Sequence, residues 1–153
     1  MPGAEHIVDS VATELAKARA TGDMVVFVSD SHAPDDLEFE RYPAHAVAGT
    51  SGAAIIDELA PAEGEIVVVK RRFGPFFETE LHELLAKAGI VEATVVGVCT
   101  HICVMETVSG LCDRDIKITV PAGAVADIDP EMEAAALKRM ANVFGATIIP
   151  KAN

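Results

Sequence analysis

The chain has 153 residues, 24 of them acidic and 12 basic, for a formal net charge of −12 with histidine neutral, and half of it is apolar. That is ample for one buried core and excludes a disordered or collagen-like chain. The acid excess repels phosphate backbones and anionic membranes, and Lys70-Arg71-Arg72 is the one short cationic group, so neither nucleic acid nor a membrane is an expected partner.

Ile7, Val8, Val11 and Leu15 recur at helical spacing, and Thr21-Gly22-Asp23 ends that segment. Its start carries Glu5 and Asp9 without a basic or continuous apolar region, so it does not read as a signal peptide. No later run approaches the roughly 18 apolar residues of a membrane helix. A buried strand is expected over 24–28, then a long loop over 29–50, a short helix over 53–59 and a strand over 66–69. Leu81, Leu84, Leu85 and Ala88 share one helical face that Gly89 ends. Strand 94–98, helix 101–113, strand 116–120, helix 130–144 and strand 146–149 complete the pattern. Five near-continuous Val/Ile strands alternating with helices predict an α/β fold, a parallel sheet covered on both faces, in one domain over 1–153. Cys99, Cys103 and Cys112 are an odd, clustered set, a poor disulfide framework, and point to reduced thiols in a cytoplasmic protein.

Ligands bind parallel sheets at the carboxyl ends of strands, so the residues after Val28, Val69 and Val98 are the informative ones. Cys103 follows the last of these through a turn into a helix, whose N-terminal amides favour a thiolate and a developing oxyanion. A free cysteine is equally a small buried hydrophobe. Lys70 leaves strand 66–69 at the same edge, where an ammonium supports a thiolate or belongs simply to a solvated charge run. Asp30, His32 and His45 form a third group: one carboxylate and two imidazoles suit zinc, iron or manganese with positions left open. Asp30 and Asp35 also read as turn formers around Pro34.

Four segments together carry a resemblance: Val28-Ser29-Asp30-Ser31-His32-Ala33-Pro34-Asp35-Asp36, Tyr42-Pro43-Ala44-His45-Ala46-Val47-Ala48-Gly49-Thr50, Val69-Lys70-Arg71-Arg72-Phe73 and Gly97-Val98-Cys99-Thr100-His101-Ile102-Cys103-Val104. In their order and spacing the chain resembles the isochorismatase-like cysteine hydrolases, nicotinamidase-type amidases above all. The resemblance implies a three-layer α/β/α fold with Cys103 as nucleophile and Lys70 as the triad lysine. It implies an oxyanion hole from the amides of Cys99 and Cys103, and a divalent metal, zinc foremost, on Asp30, His32 and His45. The implied reaction is thiolate attack on a small carboxamide such as nicotinamide, loss of ammonia and hydrolysis of the thioester. In nicotinamidase-like members the metal holds the pyridine nitrogen.

The chain also departs from that pattern. The family opens on a strand ending in an aspartate that completes the triad as base, whereas Met1-Pro2-Gly3-Ala4-Glu5 resembles the turn after that strand, and Asp9 falls on the following helix. The expectation is therefore an N-terminally incomplete domain lacking one inner strand, with bare edges that favour self-association. The alternatives to the amidase are a silent member that binds metal or ligand, and an isochorismatase-type hydrolase with another substrate. His101 stands where the family often has aspartate, and Cys99 replaces the usual small residue.

Overall fold

The computed structural model describes residues 3–151, so Met1 and Pro2 of the expected N-terminal turn lie outside the described residues. Helix α1 (Val8–Thr21) ends on Gly22, whose φ of 74° is the left-handed conformation that glycine adopts without a Cβ penalty. Strand β1 (Val26–Asp30) pairs in parallel with β2 (Ile66–Lys70), in a register that runs from Val26 opposite Ile66 to Asp30 opposite Lys70. That register sets a carboxylate beside an ammonium at the carboxyl end of the sheet.

The helix expected over 53–59 is not formed. Two 3-10 turns, Ser51–Ala53 and Asp57–Leu59, stand there instead, with extended backbone at Ala54 and Ile56 between them. So few residues, with the β-branched pair Ile55-Ile56 in the middle, cannot offset the cost of nucleating a helix. Helix α2 (Leu81–Lys87) buries Leu81 and Leu85. The strand expected over 94–98 is divided into β3 (Glu92–Thr94) and β4 (Gly97–Val98), with Val95 and Val96 between them; the Val95 amide still donates to the Thr119 carbonyl at 2.9 Å, and β4 opens on Gly97 at a φ of 117°.

After β4 the chain makes a π-helical turn, Thr100–Val104, before helix α3 (Met105–Cys112), so the helix expected from 101 begins as a wider turn. Strand β5 (Lys117–Pro121) follows, then a short β6 (Val125–Ala126) that no sequence period announced. Helix α4 (Pro130–Phe144) has the expected bounds: the Asp129 side chain accepts from the amides of Glu131 and Met132, and Gly145 closes the other end. Strand β7 (Thr147–Ile149) is last.

All ladders are parallel, with β5 between β3 and β7 and β4 beside β6. Val108, Val120, Val125 and Met140 are fully buried in the core that α3, α4 and the sheet share. Among the described residues no ladder joins β1 to β3 or β4. A cavity of about 530 Å³ opens there, lined by Val26 and Val28 on one side and Val95, Val96 and Val98 on the other, with Lys70 and Cys103 also on its wall.

Candidate active site and metal centre

Lys70 is buried although it ends a strand, and its ammonium is therefore fully partnered. Its Nζ donates to the Asp30 carboxylate beside it in the register, to the Arg72 carbonyl at 3.0 Å and to Cys103 Sγ at 3.5 Å. The sheet thus joins carboxylate, ammonium and thiol in one chain of contacts. Cys103 is delivered by the π turn. Burial pushes its thiol up, the Lys70 ammonium draws it part of the way back, and the carboxylates of Asp30 and Glu38 oppose that help. At Cys99 burial, with Asp127 and Cys103 nearby, pushes the thiol to about 11.

The turn carrying Cys103 follows a cis Val98–Cys99 peptide. Three of its amides are committed: Ile102 and Val104 donate to the Cys99 carbonyl, each at 3.2 Å, and His101 donates to the Asp127 carboxylate at 2.8 Å.

The histidines of the long loop meet around a second centre. His32 is fully buried, and its strand-like bridge to Val47 brings the segment carrying His45 back onto it, with ring centroids 4.9 Å apart. Glu38, which sequence reading did not single out, is buried in a 3-10 turn (Leu37–Glu40) and completes the ring. One ligand atom from each of His32, Glu38 and His45 lies within 4.8 Å of the others. Asp30 borders this ring, its Oδ1 3.8 Å from His32 Nε2, while also receiving Lys70. It stands between the two halves of the site.

Second contacts decide which imidazole nitrogens face inward. His32 Nδ1 lies 3.3 Å from Asp36 Oδ2, and His45 Nδ1 lies 2.9 Å from the Pro43 carbonyl. Both partners accept, so each Nδ1 carries the proton and each Nε2 presents a lone pair. Asp36 is held at about 2 by the Glu38 amide first, which outweighs its desolvation together with His32 and Arg72. His32 Nε2 is buried and has no hydrogen-bond partner. Buried acceptors are rarely left so. Donors on one tetrahedral zinc at about 2.1 Å sit roughly 3.4 Å apart. The 3.7 Å between His45 Nε2 and Glu38 Oε1 and the 3.8 Å from His32 Nε2 to Asp30 are within a small side-chain adjustment of that. The residues fit a divalent cation.

The isochorismatase domain model matches residues 1–150. The chain belongs to the isochorismatase family of hydrolases. The secreted isochorismatase effector Isc1 of Verticillium dahliae is 40% identical over 67% of the chain, a match spanning 57% of that protein. An uncharacterized isochorismatase family protein, PncA of Bacillus subtilis, is 32% identical over 94% of the chain and 84% of its own length. Among solved structures, N-carbamoylsarcosine amidase from Thermoplasma acidophilum is 32% identical, with a TM-score of 0.89 over 98% of this chain and 85% of that one. The three-layer α/β hydrolase fold expected from the motifs is therefore this chain's fold. Among the described residues no helix is long and apolar enough to cross a membrane.

Proposed function

We propose that this isochorismatase-family hydrolase is a cysteine amidase releasing ammonia from a small carboxamide such as nicotinamide. The observation that carries the reading is Cys103 Sγ at 3.5 Å from the buried Lys70 ammonium, itself held by Asp30 at the rim of the histidine ring. Cys103 attacks the amide carbonyl, and its proton passes along Lys70 toward Asp30. The oxyanion of the tetrahedral intermediate is met by the amides of Cys99 and Cys103 at the head of the turn. On collapse the C–N bond breaks, and the proton returned through Lys70 leaves with the amine as ammonia. Water then hydrolyses the thioester, its hydroxyl going to the acyl carbon and its proton restoring the thiol.

Asp30, His32 and His45, with Glu38 added, would hold a divalent metal; two imidazoles with carboxylates suit zinc first, and iron or manganese after it. When bound, it supplies Lewis acidity and a fixed anchor for a ligand nitrogen or oxygen beside the thiol. The unpartnered Nε2 of His32 is the support for this. The test is ammonia release from nicotinamide by zinc-loaded protein and by its Cys103→Ala variant. Release by the first and none by the second is expected; equal release by both overturns the cysteine mechanism. A second reading, ligand binding without turnover, draws on the opening between β1 and β4 beside the thiol. Stoichiometric zinc binding with no ammonia from a panel of small amides would favour it.

A further inference from the structure

Asp127 is a buried carboxylate that the reaction above does not use. It follows β6, and because Val98 pairs with Ala126, Asp127 lies one step beyond the ladder, level with Cys99 at the start of the nucleophile turn. Its side chain has no exposed surface. Oδ2 accepts from two groups of one residue, the His101 amide at 2.8 Å and His101 Nδ1 at 2.6 Å. Oδ1 accepts from the amides of Ile128, at 2.8 Å, and Asp129, at 3.3 Å. Burial by itself would raise this carboxyl, but the bonds from His101 and Asp129 outweigh it and hold the group below the usual range.

A helix start leaves its first amides without partners inside the helix. The turn begins at Thr100 with Cys99 before it, and Cys99 makes no side-chain cap. Asp127 supplies the cap from another strand: an anionic acceptor on the second amide, where a carboxylate complements the positive end of the turn. The same carboxylate fixes the His101 ring, which is mostly buried, so side chain and main chain of one residue are gripped together. Two residues on is Cys103, whose sulfur must stay against Lys70.

We infer that Asp127 and His101 are positioning residues for Cys103: a two-point clamp that fixes the π turn and holds the thiol on the Lys70 ammonium. The inference rests on the reading of Cys103 as nucleophile. It acts through placement alone; neither residue contacts the thiol in the bonds described. The groups that face Cys103 itself are Lys70 from β2, Asp30 from β1, Glu38 from the long loop, and Cys99. The clamp leaves all four in place and sets only where the sulfur stands among them.

The test needs no turnover, so it stands apart from the amidase reading. Iodoacetamide labelling at about pH 8.5, near a free thiol's ordinary value, is followed by peptide mass, with Cys112 on α3 as internal reference. In His101→Ala and Asp127→Asn the Cys103-to-Cys112 rate ratio is expected to fall about tenfold, as for a thiolate deprived of an adjacent ammonium. His101→Asn, whose side-chain NH₂ can donate to Asp127 much as Nδ1–H does, is expected to keep the ratio within about twofold of the parent. General loosening would speed both thiols together and leave the ratio unchanged. Amide exchange at His101, read by NMR in the same variants, is expected to quicken in Asp127→Asn and stay slow in His101→Asn. A ratio that holds or rises in His101→Ala and Asp127→Asn, a His101→Asn variant as impaired as His101→Ala, or unchanged His101 exchange in Asp127→Asn overturns the clamp.

Discussion

At the scale of single residues, the site divides into groups whose chemistry is set by position and groups recruited by tertiary contact. Cys103 and Lys70 were legible through the resemblance that four motif segments carry together; their places at the carboxyl edge of the sheet, where ligands bind, fit a small hydrophobe and a solvated charge just as well. Glu38 and Asp36 were not, since acidic residues in a polar loop carry no spacing signal, and only folding shows that one is buried among histidines and the other orients one. Asp30 was read from the sequence as a metal residue or a turn former; the β1–β2 register adds its bond to Lys70. If the His32 tautomer depends on Asp36, Asp36→Ala should weaken zinc binding about 10- to 100-fold. Competition with a chromophoric chelator would measure it, and an unchanged affinity would mean that the Asp36 contact orients nothing. Lys70→Met should lower kcat for amide hydrolysis by about 10²-fold or more, the typical worth of a positioned proton-transfer group. Comparing kcat with KM checks this, because a variant that raises only KM would make Lys70 a binding residue.

At the scale of elements, amphipathic helices and β-branched strands were readable, and their interruptions were not. Helix α4 has both boundary signals, a capping Asp129 with Pro130 after it and a closing Gly145, and its bounds follow. The π turn before α3 and the break at Val95 and Val96 stand among contacts with β6 and β5 that no local period encodes. Helix α3 also explains a glycine that propensity alone would replace. A Cβ on Gly110 would lie 2.4 and 2.7 Å from two ring carbons of Phe76, and that ring is covered by the Arg114 guanidinium 3.8 Å from its centroid. Alanine would favour a helix by about 1 kcal/mol, but overpacking a pinned ring costs about 1–3 kcal/mol. Gly110→Ala should therefore lower the midpoint of thermal unfolding; a higher midpoint would mean that the ring moves aside freely.

Helix α1 is tied to the segment before β2 by Arg19, which donates to both oxygens of Glu65 at 2.7 and 2.8 Å and to the Ala60 carbonyl at 3.0 Å. Arg19 is the leading reason that Glu65 is held at about 2 rather than 4.5. A carboxyl depressed on folding adds stability that is present above its unfolded value and is lost as pH falls toward its folded one. The acid limb of the stability curve between 4.5 and about 2 should thus flatten in Glu65→Gln. Thermal midpoints taken across that range would show it, and a limb as steep as the parent's would assign the loss to other groups.

At the scale of the whole molecule, the parallel sheet does one thing for function: it brings three strand ends, those of β1, β2 and β4, to one edge, where the thiol, ammonium and metal-type ring converge. The fold class was legible from strand rhythm, which also marked the carboxyl edge as the place to look for a site. The division of the sheet, with its opening between β1 and the 92–98 run, is visible as unjoined ladders. A ligand that binds only the folded state at 100 times its Kd adds about 2.7 kcal/mol, worth roughly 5–10 °C in a chain of this size. Zinc in that excess should raise the thermal midpoint accordingly, and the rise should vanish in His32→Ala if the buried Nε2 is a ligand.

The most direct measurement of the central claim is a trapped intermediate. Zinc-loaded protein is mixed with nicotinamide, quenched in acid within the first turnovers and analysed by intact and peptide mass. The account predicts an acyl adduct, the substrate less ammonia, on the peptide carrying Cys103 and none in Cys103→Ala. Ammonia released with no adduct at Cys103, or with the adduct on Cys99 or Cys112, would contradict it.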